Sequence, residues 1–204
     1  MVELDVQVTR DRRLVIFHDD RLERTTDGAG RVSQASYGAL ARLDAGKWFG
    51  ERFAGERILL ASDAARLIPA RLGINLELKR TRRRQLLVRG LMRLIRRRNL
   101  RQRLLLSSFD PRLLEPFAGK QIALALICRT FPEASLRRAV ALGCTAWHPH
   151  HTVATPRRIA RAHAAGLRVH VWTVDDPGKA RRVLRDGADG LFTNDPSTIT
   201  KAVG

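Results

Sequence analysis

The hydrophobic positions form short apolar runs, separated by longer stretches in which apolar residues recur at helical spacing. From Gly73 onward the two patterns alternate, which predicts a parallel βα architecture. Thr155-Pro156 and Asp176-Pro177 are typical helix starts, a capping side chain followed by proline. The predicted strands lie near residues 2–8, 13–18, 74–79, 104–108, 122–127, 145–148, 168–174 and 190–193, and the predicted helices near 36–42, 62–71, 81–98, 133–142, 156–165 and 177–186.

The first two apolar runs are separated only by residues 9–13. A parallel crossover needs roughly a dozen residues or more, so these two runs are predicted to form a β-hairpin. If the hairpin turns about Asp11 and Arg12, Asp5 lies directly opposite His18. Glu3 then shares a face with Asp5, because residues two apart on a strand point the same way.

Charged residues at the ends of these runs suggest a site. Glu3, Asp5 and His18 are joined by Glu77 and Lys79, which follow another apolar run and also share a face. Hard oxygen donors beside a lysine favour Mg²⁺ or Ca²⁺ and a phosphate over zinc, which prefers nitrogen and sulfur ligands. The alternative is that each is an ordinary surface charge at a strand end.

Basic residues strongly outnumber acidic ones, 38 against 20, giving a formal net charge of +18. Such a charge attracts polyanions, and arginines are densest between Arg80 and Arg103. The same stretch has an apolar face at helical spacing, which predicts a solvated outer helix. That face consists of Leu86, Leu87, Leu91, Leu94 and Ile95. No nucleic-acid-binding signature accompanies it, so no specific nucleic-acid partner is predicted, and polyanion binding stays an alternative.

Eight stretches in order along the chain resemble the glycerophosphodiester phosphodiesterase family. They are residues 3–11, 16–32, 43–58, 74–79, 104–111, 148–156, 166–177 and 189–196. The resemblance implies a TIM-type (β/α) barrel that hydrolyses glycerophosphodiesters to glycerol 3-phosphate and an alcohol with a divalent metal, Mg²⁺ or Ca²⁺.

Site roles follow from the same resemblance, residue by residue. The metal ligands are expected to be Glu3, Asp5 and Glu77, the general acid His18, and a phosphate contact Lys79. His150 and Trp172 lie in matching stretches and are expected to contact substrate, although a structural role for each is the alternative.

The family's first strand ends in a His-Arg-Gly motif, and no such sequence occurs in these 204 residues. We therefore expect an α/β TIM-type barrel that is incomplete at its N-terminus, without its first strand and helix. In the family that this chain resembles, the histidine of the motif is the acid-base partner of His18. A positioned proton-transfer group contributes roughly 10²- to 10⁴-fold to the rate, so weakened activity is expected without it. A misplaced start, a truncated gene and a non-catalytic binding relative are the competing explanations.

Residues 20–60 form a long excursion at the predicted active-site end of a strand. Its aromatic residues Trp48, Phe49 and Phe53 are expected either to shape the substrate pocket or to fold back over a core.

The remaining features predict one domain over residues 1–204. Cys128 and Cys144 have no metal-type spacing and are expected to be buried free thiols. No apolar stretch approaches the 18 residues of a membrane span, and no signal peptide is visible, so a cytoplasmic location is expected unless an export signal lies upstream. The sequence predicts no oligomeric state.

Overall fold

The structure, a computed structural model, describes residues 1–98 and 100–204, without the side chain of Arg98. It divides into two compact units, Met1–Leu106 and Ser107–Gly204. The single domain expected from the sequence stays a prediction.

The first unit builds a small sheet around its N-terminal strand. β1 pairs with β2 in antiparallel and with β3 in parallel orientation. Short 3-10 turns at Val32–Gln34 and Glu51–Phe53 lie in the excursion. The strands of this unit are β1 (Val2–Val8), β2 (Leu14–Ile16), β3 (Ile74–Leu78) and the start of β4 (Leu104–Ser108), and its helices are α1 (Tyr37–Leu40), α2 (Ala61–Leu67) and α3 (Arg84–Arg98).

The second unit alternates helices with strands that pair successively in parallel. Its strands are β5 (Ala123–Cys128), β6 (Ala146–Pro149), β7 (Arg168–Val171) and β8 (Gly190–Leu191), and its helices are α4 (Pro111–Leu114), α5 (Pro132–Ala141), α6 (Pro156–Ala164), α7 (Pro177–Arg185) and α8 (Pro196–Val203). The predicted fold class, an incomplete TIM-type α/β barrel, is confirmed by the order and direction of these elements.

Helix starts follow the capping signals in the sequence. The side chains of Thr155 and Asp176 accept hydrogen bonds from backbone N–H groups of the first turns of α6 and α7, as predicted. The same Asp-Pro signal begins α4 at Asp110 and α8 at Asp195, two helices that the periodicity alone did not predict. Their apolar faces are too short to stand out in the sequence.

α2 ends at Leu67, four residues earlier than the predicted helix. Pro69 explains this end, because proline pushes the residue before it out of the helical conformation. Ile68 accordingly has extended backbone angles.

The predicted hairpin forms, but its predicted register is wrong by one residue. Val6 pairs with Ile16 and Val8 with Leu14, so Asp5 lies opposite Phe17 rather than His18. The backbone N–H of Phe17 donates to the carbonyl of Asp5 at 2.9 Å. The turn uses three residues instead of two, with Arg12 at a φ of 65° in the left-handed region. No glycine marks that position in the sequence.

Four of the five residues of the predicted apolar face of α3 are buried, and Leu86 is half-buried. Leu87 and Leu91 are fully buried, and Leu94 and Ile95 nearly so. The excursion has a core of its own, in which Leu22, Val32, Leu40 and Ile58 pack against Val15 and Phe17.

The aromatic residues of the excursion mostly stay out of that core. Trp48 is 52% and Phe49 67% exposed, so their expected packing over a core is wrong. They contact each other edge-on, and the Arg24 guanidinium lies over the Trp48 ring. Aliphatic side chains fill the core in their place.

Cys128 and Cys144 are buried free thiols, as predicted. Burial raises the pKa of Cys144 to about 11, which keeps it protonated at neutral pH. Among the described residues, no helix combines the length and the apolar character that crossing a bilayer requires.

Candidate active site

Three carboxylates from two neighbouring strands meet in the first unit. Asp5 of β1 pairs in register with Glu77 of β3, and Glu3 pairs with Asn75 two residues earlier. Because alternate residues of a strand share a face, the register brings these side chains to one side of the sheet. One oxygen each from Glu3, Asp5 and Glu77 lies within 4.8 Å of the others.

Lys79 lies directly after β3 and contacts two of these carboxylates. Its Nζ is 2.9 Å from Glu77 Oε1 and 3.2 Å from Asp5 Oδ1. Burial by itself would lower the pKa of Lys79, but the neighbouring charges of Asp5 and Glu77 outweigh it and raise that pKa. Lys79 therefore remains a fixed ammonium at the edge of the cluster.

The carboxylates disfavour one another's charge. Desolvation, followed by repulsion from Asp5 and Glu77, raises the pKa of Glu3 to about 8. Glu3 is exposed as a residue, but its carboxylate lies within the cluster beside two like charges. Burial likewise raises the pKa of Glu77, although Lys79 opposes the shift. With all three carboxylates ionised, the cluster would carry more negative charge than one lysine neutralises, so the carboxylates resist ionisation, and an added cation would favour their ionised forms.

The donor set fits a hard divalent cation. Two bonds of about 2.4 Å, typical of Ca²⁺ and oxygen, span about 4.8 Å, the separation within which the three oxygens already lie. In the described part of the chain, the side-chain oxygen of buried Asn75 has no hydrogen-bond partner. Asn75 shares the strand face of Glu77 and is the register partner of Glu3. Sequence reasoning missed it, although its i and i+2 spacing from Glu77 is the signal that located the carboxylates.

His18 lies near this cluster and is held by a neighbouring acid. The backbone N–H of the preceding residue, Phe17, donates to the carbonyl of Asp5, which places His18 next to the strand that carries Glu3 and Asp5. The Nδ1 atom is 2.5 Å from Asp19 Oδ1, and Asp19 also accepts from Arg24 Nε at 2.5 Å. The Arg24 hydrogen bond is the main reason that the pKa of Asp19 falls to about 2. Because an ionised Asp19 accepts a hydrogen bond from Nδ1–H of His18, the other ring nitrogen, Nε2, is left available for proton transfer.

Gln7 holds the backbone of the His18 segment, a role that sequence reasoning missed. Its side-chain amide donates to the carbonyls of Phe17 at 2.9 Å and Asp19 at 2.7 Å. Gln7 is only 8% exposed. It continues the alternation of Glu3 and Asp5 on β1, so the pattern placed it on the site face but did not predict its partners.

His150 and Trp172 meet in the second unit. Their backbones form a parallel bridge, and their ring centroids lie 4.7 Å apart, edge to face. The indole Nε1 of Trp172 donates to the carbonyl of His148 at 2.8 Å, and the Phe109 ring packs edge-on against the indole at 5.4 Å. His150 and Trp172 are each half-buried. Phe109 is a member of this group that sequence reasoning missed.

Comparison with known proteins finds related sequences over nearly the whole chain. A glycerophosphodiester phosphodiesterase of Caldanaerobacter subterraneus subsp. tengcongensis is 31% identical over 99% of this chain and 85% of its own length. A glycerophosphodiester phosphodiesterase of Bacillus altitudinis is 30% identical over 98% of this chain and 84% of its own length.

A solved structure is similarly close. The Oleispira antarctica phosphodiesterase, in complex with the product sn-glycerol-3-phosphate, superposes with a TM-score of 0.90 at 30% identity, covering 99% of this chain and 84% of that chain. The model of the glycerophosphoryl diester phosphodiesterase family matches residues 1–198. The chain therefore belongs to the glycerophosphoryl diester phosphodiesterase family, a family of phosphoric diester hydrolases.

Proposed function

We propose that this chain hydrolyses glycerophosphodiesters to glycerol 3-phosphate and an alcohol, using Mg²⁺ or Ca²⁺ held by Glu3, Asp5 and Glu77. The carrying observation is the carboxylate cluster joined to Lys79, in a chain that matches the family over residues 1–198. The product bound to the Oleispira antarctica phosphodiesterase, sn-glycerol-3-phosphate, supports the same product here.

Side chains of the protein would bind the phosphate and transfer the proton. When bound, the divalent cation supplies charge that polarises the phosphoryl group and activates an attacking hydroxyl of glycerol or water. The ammonium of Lys79 donates to a phosphate oxygen. As the bond between phosphorus and the alcohol oxygen breaks, His18 gives the Nε2 proton to that oxygen. This transfer requires the imidazolium form of His18, protonated on both ring nitrogens, and the ionised Asp19 accepts a hydrogen bond from its Nδ1–H, which fixes the ring orientation.

His150 and Trp172 are proposed to contact substrate, as the family resemblance implies. Their mutual contact and partial burial support this role, because aromatic rings pack well against the carbon skeleton of a polyol. Location in the cytoplasm also stays a proposal, and cell fractionation would test it.

A phosphodiester-binding protein without turnover is the second candidate. Its support is that the acidic cluster and the neighbouring ammonium of Lys79 are the groups that binding a cation and a phosphate requires, with or without turnover. This candidate predicts metal binding without hydrolysis.

The test is hydrolysis of glycerophosphocholine with added Mg²⁺ or Ca²⁺, alongside the melting temperature with and without the cation. We expect hydrolysis that depends on the cation, and a cation-induced rise in melting temperature, because a ligand of the folded state stabilises it. Both effects should be lost in Glu77→Gln and kept in Glu51→Gln, since Glu51 is an exposed acid paired only with Lys47 among the described residues.

The outcomes separate the candidates. A melting-temperature rise without product in any cation supports the binding protein, and a Glu77→Gln variant as active as the parent chain contradicts the proposed site. The same assay on Trp172→Ala tests the substrate contact through KM.

A further inference from the structure

A second feature of the first unit is a cavity whose lining is rich in arginine. Its volume is about 540 Å³, and it lies between the excursion after His18 and the segment that follows β3. Five of its lining residues are cationic, against one acidic residue, Asp20. Those cations are Arg31, Lys79, Arg80, Arg82 and Arg83.

Most of these guanidinium groups are uncommitted. Arg83 is the exception, since its Nη1 donates to the carbonyls of Thr9 at 2.7 Å and Arg10 at 3.1 Å. In the described residues, the side chains of Arg31, Arg80 and Arg82 form no ion pair or hydrogen bond. Arg83 therefore shapes the wall, and the other three leave their donors free for a ligand.

Helix formation does not account for this basic segment. α3 begins at Arg84 and has no acidic residue in its first turn. Cations at a helix N-terminus oppose the helix dipole, so arginines here reduce helix stability. Their convergence on one cavity gives them a different physical role, a strongly positive potential in a concave space.

Lys79 connects this cavity to the carboxylate cluster. The residue lines the cavity, while its Nζ contacts Asp5 and Glu77. A phosphodiester whose phosphate contacts Lys79 can therefore extend one of its two substituents toward the arginines. Glycerol carries no charge, so a group that matches the arginines must belong to the alcohol.

We propose that the cavity binds a second anionic group on the alcohol part of the substrate, and that the chain prefers glycerophosphodiesters with such a group. This inference rests on the proposed function. Guanidinium groups suit phosphate oxygens because their planar donors form paired hydrogen bonds. A cationic alcohol such as choline would be repelled from the same cavity.

The test compares two ligands that differ by one phosphate, glycerophosphoinositol and glycerophosphoinositol 4-phosphate. Their affinities for the full chain are measured by titration calorimetry at an ionic strength of about 0.15 M. EDTA is present to limit turnover, since the arginines need no cation to bind an anion. We expect the 4-phosphate to bind about tenfold more tightly, a moderate gain for partly exposed charged hydrogen bonds.

Two double variants isolate the cavity from the general charge. Arg31→Gln with Arg82→Gln should bring the affinity ratio close to one. Arg71→Gln with Arg89→Gln removes the same charge from two exposed arginines outside the cavity lining and should keep the ratio. Melting temperatures establish that both variants are folded.

Each outcome decides the proposal. The proposal is overturned by an affinity ratio near one in the parent chain, or by an equal fall of that ratio in both double variants. Inorganic phosphate binding as tightly as the 4-phosphate ligand also overturns it, because the cavity would then be a general anion site. Hydrolysis is assayed separately with Mg²⁺ or Ca²⁺. A preserved ratio without hydrolysis would contradict the proposed function alone, and hydrolysis with a ratio of one would contradict the cavity alone.

Discussion

Asp19 is the residue on which the geometry of His18 depends. Its carboxylate accepts from both the His18 ring and the Arg24 guanidinium, and its pKa of about 2 keeps it ionised at any pH at which the enzyme would work. His18 itself is exposed, with 65% of its side chain accessible. Without a fixed partner, such a ring would sample several rotamers and both tautomers. Orientation by Asp19 therefore matters more here than it would for a buried histidine.

The variant Asp19→Asn should lower kcat at least about tenfold with little change in KM, because a neutral amide no longer holds the protonated His18 ring by a charged hydrogen bond at Nδ1. Steady-state hydrolysis of glycerophosphocholine measures this. Asp63→Asn is the matched control, since Asp63 pairs with Arg66 at 3.0 Å and contacts no histidine in the described structure. Equal kcat values for Asp19→Asn and the parent chain would remove Asp19 from the mechanism.

At the scale of elements, the excursion is held by a compact turn around Asp44. The Asp44 carboxylate accepts from the backbone N–H groups of Gly46, Lys47 and Gly55 at 2.7 to 2.9 Å. These hydrogen bonds lower the pKa of Asp44. Gly46 is required by space, because a Cβ there would lie 1.9 Å from the carbonyl oxygen of Phe53.

Gly46→Ala should therefore lower the free energy of unfolding by about 1–3 kcal/mol, since backbone must move to admit the methyl group. Gly38→Ala is the control: nothing lies within 4 Å of its added Cβ, and Gly38 is in α1. Alanine favours helix by up to about 1 kcal/mol, so this variant should be neutral or stabilising. Urea unfolding of both variants measures the difference, and an unchanged midpoint for Gly46→Ala would contradict the close approach.

At the scale of the whole molecule, stability must depend on pH through buried histidines. His148 is 1% exposed, lies 3.1 Å from His170 through its Nε2, and packs against Phe192 at 4.9 Å. Burial, then the neighbouring His170, lowers the pKa of His148 well below 6.5. The folded chain therefore holds this ring neutral, while the unfolded chain can protonate it.

The sign of the effect follows from linkage. As pH falls below about 6.5, the unfolded state binds a proton that the folded state excludes, so stability decreases until the folded pKa is reached. His148→Gln should lessen the slope of unfolding free energy below pH 6.5 by up to about 1.4 kcal/mol per pH unit. Urea unfolding between pH 7.5 and about 5 measures the slope. Identical slopes for variant and parent chain would show that His148 is not the group responsible.

The sequence by itself determined what short-range geometry controls. The i and i+2 alternation of Glu3 and Asp5, and the caps at Thr155 and Asp176, depend only on residues that lie next to one another. The strands of the second unit and its helices α5, α6 and α7 were predictable for the same reason, whereas the short helices α4 and α8 were not. Family membership was also predictable, because it depends on the order of short motifs along the chain and not on which of them come into contact.

Only the tertiary structure decided which of these residues meet. The pairing of Asp5 with Glu77 joins positions 72 residues apart, and no local pattern states which strands become neighbours. The hairpin register depended on the left-handed backbone conformation of Arg12, which the sequence did not indicate because no glycine occupies that position. The arginine-rich cavity depended on how the excursion packs beside the end of β3. Contacts of this kind follow from packing of distant segments, whose energy is shared among many side chains and is not encoded in any short stretch.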